Sequence, residues 1–262
     1  DLATQSFVNP SYGPNGIELM ENGVSAEDAL KNLTDKDEGR DFRQAAMLDA
    51  NGSVNAFTGE KCIESAGHFV GENFSIQANM MLNDNVIPAM KKAFQDNSNL
   101  PLAERIIKVF EAAERVGGDI RGKQSAALIV VGAEKTSNVW EDKKIDLRVD
   151  DSSDPIKEIK RLLRVHRAYG HMNNGDLAIG ENDMDKALSE YGKAQALYPE
   201  NHEMSFWKAI ALLNNGKKEA ARPILKRVFK ENPNWKKLIY RLPKSGLISM
   251  EFNDLDSYLK NL

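Results

Sequence analysis

The chain has 262 residues, 41% of them hydrophobic and 28% charged, and its formal net charge is −4. That composition is ordinary globular material, with room for one large domain and a smaller one, and it excludes disordered and fibrous classes. The acidic balance makes nucleic acid an unexpected partner, and a single cysteine excludes an intrachain disulfide and a Cys-rich zinc site.

The first helical stretch covers residues 16–22 and the second 26–33, with Ser25 as its N-cap and Asp28 where a capping box has Glu. Residues 43–49 then read as a strand. Asn51-Gly52 reads as a type I′ hairpin turn, and 53–58 as the returning strand. A second strand pair, 65–70 and 73–79, is split by Gly71-Glu72. Two helices follow. Residues 86–94 carry Ile87, Met90 and Phe94 on one face, and 102–116 carry Ile106, Val109, Phe110 and Ala113 before Gly117-Gly118 stops the helix. Residues 125–131 read as a buried strand, and 145–149 alternate as a half-exposed one. Helices, strands, helices and strands in that order suit a layered α+β sandwich better than a βαβ wind. No apolar run approaches the roughly 18 residues of a membrane span; the longest is 126–131.

A new helix starts at Pro155, and no strand is expected from there to Leu262. The expected boundary lies near Tyr169, with an α+β domain over 1–168 and a helical domain over 169–262. Within the helical part, Ala187, Tyr191, Ala194 and Pro199 recur 34 residues later as Ala221, Leu225, Val228 and Pro233, with Gly175 and Ala209 in matching register. This pattern resembles tetratricopeptide repeats over about two units. Two units need a cap, for which residues 238–242 and 255–259 are the candidates. Pro223 is harmless only if it falls in a first helical turn.

The first part carries a sharper resemblance. Ala3-Thr4-Gln5-Ser6, Asn9-Pro10-Ser11-Tyr12-Gly13, Phe42-Arg43-Gln44, Phe57-Thr58-Gly59-Glu60-Lys61-Cys62, the run from Gly117 to Ala127, and Asp146-Leu147-Arg148-Val149-Asp150-Asp151 follow one another in order. Together they resemble the bacterial and archaeal domain-of-unknown-function 1028 family, classed with the N-terminal-nucleophile (Ntn) hydrolases. The resemblance implies an αββα Ntn-hydrolase-like sandwich and an amidohydrolase of unspecified substrate. The fold expected for the whole chain is therefore α+β, with that sandwich followed by an all-α, tetratricopeptide-like domain. Family members begin with further strands and a nucleophile at the first residue. Asp1 has no hydroxyl or thiol, so either upstream strands with the nucleophile have been removed, or those strands come from another chain, or the domain never had the nucleophile; Ser152 stands where the family has His.

The candidate catalytic residues are Arg43, Asp119, Arg121 and Asp150. Asp119 and Arg121, with Gln124 and Ser125, either present donors to an oxyanion or carboxylate or simply pair beside the helix end. Arg148, Asp150 and Asp151 either work as acid and base or hold a cation, or else form an exposed strand face and cap the helix from Pro155. Arg43 and Gln44 line a pocket or anchor carbonyls. Cys62 and His68 make a thiolate pair or are an inert filler and a bystander. Thr4 and Ser6 would need chain cleavage to act as nucleophiles. No metal spacing is present among the four histidines, and no cofactor is expected.

Residues 206–244 hold eleven Lys/Arg against two Glu, with Trp207, Trp235 and Tyr240 interleaved. They either meet an anionic partner or form the solvated face of the repeat helices. Two function classes remain: hydrolysis of a peptide or cell-wall-type amide bond, and a non-catalytic scaffold that docks a partner through the helical repeat. The partners admitted are a protein or peptide, a peptidoglycan-type ligand and a second copy of the chain. The compartment is left open, cytoplasmic or exported.

Overall fold

The structure, a computed structural model, describes residues 1–134 and 136–262. The chain divides into two compact units, Asp1–Ile159 and Lys160–Leu262.

The first unit begins with a strand the sequence pattern did not announce, β1 (Leu2–Gln5), followed by α1 (Tyr12–Glu21) and α2 (Ala26–Asp35). The Ser25 hydroxyl accepts from the Asp28 backbone N–H at 3.1 Å, which is the expected cap. Strands β2 (Gln44–Leu48) and β3 (Val54–Thr58) complete a three-stranded antiparallel sheet in the order β1-β2-β3. Residues alternate between the faces of β2. Ala45 and Met47 are buried with Ala26, Ala29 and Leu30 of α2 and Tyr12 of α1. A Cβ on Gly16 would come within 2.7 Å of the Met47 methyl, so glycine lets α1 lie close on the sheet.

The hairpin β4 (Gly67–Gly71) and β5 (Phe74–Ala78) packs against β2 and β3. Helix α3 (Val86–Asp96) packs on that hairpin and pairs with α4 (Leu102–Arg115). Helix pair, sheet, sheet and helix pair thus follow one another in contact, as the αββα order requires. A cavity of about 430 Å³ is lined by β1, β2, β5, α3 and α4, chiefly by apolar side chains such as Ile76, Met90, Phe94 and Phe110. A further antiparallel pair, β6 (Ala126–Val131) and β7 (Lys143–Val149), flanks the short α5 (Val139–Asp142).

Three local expectations are corrected. Asn51 keeps a negative φ, so the β2–β3 connection is not type I′. Gly52 alone is left-handed, and the Asp49 carboxylate accepts from the N–H groups of Asn51 and Ser53. β6 is not buried throughout: Leu128 is, but Ile129 and Val131 are exposed, because a two-stranded sheet covers one face only. In α4 the buried residues are Ala103, Ile107, Val109 and Ala112, while Ile106 and Phe110 face the cavity.

Helix α6 runs from Pro155 to Gly180, so Tyr169 lies inside it. Then come α7 (Met184–Leu197), α8 (His202–Asn214), α9 (Lys218–Glu231), α10 (Asn234–Ile239), α11 (Leu242–Ser245) and α12 (Phe252–Lys260). The repeat positions behave as their pattern demands: Ala187, Ala194, Ala209, Ala221, Leu225 and Val228 are fully buried. The capping segment 255–259 lies within α12 and 238–242 bridges the end of α10 and the start of α11 through a turn, and Ile239, Leu242, Leu255 and Leu259 join the buried cluster of α8 and α9. Pro223 is not in the first turn. It sits inside α9, where it removes the backbone bond to the Glu219 carbonyl.

Candidate functional site

In the strand register, Gln5 pairs with Gln44, and Gln44 with Thr58. In the neighbouring hairpin Gly67 pairs with Ala78. The side chain that joins these strand ends is Gln44, which is fully buried. Its amide nitrogen lies 3.0 Å from both the Gly67 and Ala78 carbonyls and 2.9 Å from the Thr58 hydroxyl. Its amide oxygen accepts from Gln5 and, at 3.4 Å, from Asn79. A buried amide is tolerated only when its donors and acceptors are met, and here the satisfied amide ties two sheets together.

Thr58 continues the chain of contacts outward. Its Oγ1 lies 2.8 Å from His68 Nδ1. The Gln44 nitrogen can only donate, and the Thr58 hydroxyl donates to His68 Nδ1 when the imidazole proton sits on Nε2. His68 is exposed as a residue, yet partial burial of its ring pushes its pKa below 6.5, which keeps the imidazole neutral at pH 7. The backbone around these ends is strained. Ser6 and Phe7 follow β1, Ser65 precedes β4 and Met80 follows β5, all with φ between 45° and 58°. Left-handed backbone costs a non-glycine residue roughly 1–2 kcal/mol, and such strain collects where function needs it.

Of the four candidates, Arg43 borders this cluster. Its guanidinium donates to Asp37 at 3.0 Å and to the Phe7 carbonyl, and Asp37 also accepts from Tyr12, Asn9 and the Gly39 N–H. The Arg43 guanidinium holds the Asp37 carboxyl far below the carboxylate range, while burial and that carboxylate raise the Tyr12 hydroxyl. All of these groups are consumed in one clamp, so Arg43 reads as an anchor for the strained Ser6–Phe7 turn. The Cys62 thiol donates to the Arg43 carbonyl at 3.4 Å, whereas His68 turns to Thr58, so the two do not pair.

Asp119 and Arg121 form a two-point ion pair at 2.9 and 2.6 Å, with Arg121 largely exposed. Their loop is bonded to the segment just beyond Asn79, through Leu82 N–H to the Gly118 carbonyl and Ile120 N–H to the Met80 carbonyl. Asp150 is not part of this assembly. It lies exposed at the end of β7, and the carboxylate bonding the first turn of α6 is that of Asp154. Thr4 lies one residue before Gln5, and its buried hydroxyl has no hydrogen-bond partner among the described residues. Among the described residues no group of three His, Cys, Asp or Glu is arranged to hold a metal ion, and no helix is long and apolar enough to cross a membrane.

Sequence reasoning passed over Thr58 as a site residue, as well as Gln5, Asn79 and Asp37. Two polar residues at facing strand ends, Gln44 and Thr58, were the available signal.

The model of a family of unknown function, DUF1028, matches residues 1–159. The chain belongs to that family. The chain is also similar to a solved structure, the crystal structure of protein SPO2555 from Silicibacter pomeroyi, itself described by the DUF1028 family model. The two share 27% identity and a TM-score of 0.54 over 62% of this chain and 70% of that one. A tetratricopeptide-repeat model matches residues 178–242, within the helical unit. No curated protein matches.

Proposed function

We propose that the DUF1028 domain hydrolyses an amide bond, in a peptide or cell-wall-type fragment, at the strand ends around Thr58. The observation that carries this reading is the 2.8 Å contact between the Thr58 hydroxyl and a neutral His68 imidazole, which is the reach and protonation state that base activation of a hydroxyl needs. In the first step Oγ1 bonds to the carbonyl carbon as its proton passes to His68 Nδ1. His68 then returns that proton to the amide nitrogen as the C–N bond breaks and the amine leaves. Water, deprotonated by His68, attacks the ester on Thr58 and releases the acid with the hydroxyl restored. The Asn79 amide, held to Gln44 by a long 3.4 Å bond, is the side-chain donor with least to lose on turning toward the oxyanion.

Replacing Thr58 by Val or His68 by Gln should lower hydrolysis of a panel of peptide anilides and muramoyl-peptide amides by about 10²–10⁴-fold, while Thr58→Ser retains activity. A depressed imidazole pKa places the acidic limb of the rate profile below pH 6.5: activity is lost as pH falls and His68 takes up a proton. A panel hydrolysed equally well by Thr58→Val removes this reading.

The tetratricopeptide match favours a second reading for the other unit, in which the helical repeat docks a protein or peptide partner. It requires saturable one-to-one binding of at least one fluorescent peptide from a set of acidic, neutral and basic sequences, with slowed hydrogen exchange within residues 178–242. A set without any saturable binder refutes it.

A further inference from the structure

We infer that the exposed surface of α9, α10 and α11 is a docking face for an acidic polypeptide segment; the inference rests on the docking reading of the helical repeat. Lys226 and Lys230 stand four residues apart, hence on one stripe of α9, and both are exposed. Helix α10 packs against α9 and α11 against α10, and these add Lys236, Lys237, Arg241 and Lys244, again exposed. None of these six cations makes an ion pair among the described residues. The carboxylates interspersed with them are engaged elsewhere: Glu219 with Arg222 at 3.3 Å, and Glu231 with His202 at 3.2 Å. Asp256, which feels the charge of Lys236, is held by Lys260 at 2.7 Å.

Like charges gathered on three successive, mutually packed helices repel, and that cost is relieved when an anion covers them. Which anion is decided by the aromatic residues. Single-stranded nucleic acid is gripped by exposed rings on which bases stack. Here Trp235 lies against Phe206 with ring centroids 4.6 Å apart, Trp207 against the same ring at 5.3 Å, and the Tyr240 hydroxyl donates to Asp256. Within 206–244 Phe206 is buried and Trp207, Phe229, Trp235 and Tyr240 are half-buried, so none stands free of the core. The face is also lysine-rich, and lysine presents point charges without the planar fork that reads phosphate bidentately. Charge without stacking platforms fits a chain of Glu and Asp side chains.

The experiment titrates the whole protein into fluorescein-labelled 15-residue peptides of acidic, neutral and basic composition, and into oligouridylate of equal length, read by anisotropy. Expected is saturable binding of the acidic peptide alone, weakened at least tenfold when salt rises from about 50 to about 200 mM, because exposed charges are screened. Lys226→Glu with Lys230→Glu, and separately Lys236→Glu with Lys237→Glu, should each weaken it at least tenfold with unchanged circular dichroism. Equal binding of all three peptides leaves the docking reading standing and overturns the acidic partner. Tighter binding of oligouridylate overturns it in favour of nucleic acid. Self-association in sedimentation that both double variants abolish overturns it in favour of a second copy. No binder at all overturns inference and docking reading together.

Discussion

Gln44 shows how much one side chain can organise. Its amide meets two backbone carbonyls, a hydroxyl and two further amides with no surface exposed. Gln44→Leu keeps the volume and strands those partners. Each buried polar group left unmet costs about 1–3 kcal/mol, so guanidinium unfolding should show a loss in that range or above; an unchanged midpoint would mean the strand ends hold without the amide. Glu190 offers a test by pH. Lys193 at 2.5 Å and His171 at 2.6 Å hold its carboxyl down to about 2 from the usual 4.5. A depressed folded pKa contributes stability above the unfolded value, and that stability is lost as pH falls through the folded one. The melting temperature should therefore drop between pH 4.5 and about 2, and Glu190→Gln should flatten that drop.

Among the elements, the repeat helices were the most legible, since small residues recur where helices touch. Gly175 is the clearest case: a Cβ there would lie 2.6 Å from the Tyr191 ring, which is buried and tied to Asp176 through its hydroxyl. The ring has nowhere to go. Gly175→Ala should destabilise by about 1–3 kcal/mol through overpacking, even though alanine is the better helix former by roughly 1 kcal/mol. A thermal melt at or above the parent value would show that α6 and α7 can separate at this point. The strands were harder. β1 is only four residues long and carries Thr and Gln, so no apolar alternation announces it; pairing with β2 makes it a strand. Ile129 and Val131 looked buried because β-branched apolar runs suit any strand, and only the lack of a second layer over β6 exposes them.

At the scale of the molecule, the net charge of −4 hides an uneven distribution, because residues 206–244 carry eleven Lys/Arg against two Glu. In about 10 mM salt the Debye length is about 30 Å, long enough for the six cations of α9–α11 to act in concert. The protein should bind a sulfonate cation exchanger at pH 7 despite its negative charge. The Lys226→Glu, Lys230→Glu double variant should pass through the column, and retention equal to the parent's would place the binding charge elsewhere.

Periodicity, caps and small-residue spacing are local, and so the sequence by itself determined the α+β and all-α division, the repeat contacts and the starts of α2, α3, α4 and α6. The meeting of Gln5, Gln44, Thr58, His68 and Asn79 spans up to 74 residues of chain and depends on strand register and on how one sheet lies on the next. No local pattern encodes that. The same limit explains why the sequence offers only Cys62, a near neighbour, as a reacting partner for His68, while folding turns its ring to Thr58 on the adjoining sheet. Tertiary packing decided the site because hydrogen bonds form between groups brought together in space, whatever their separation along the chain.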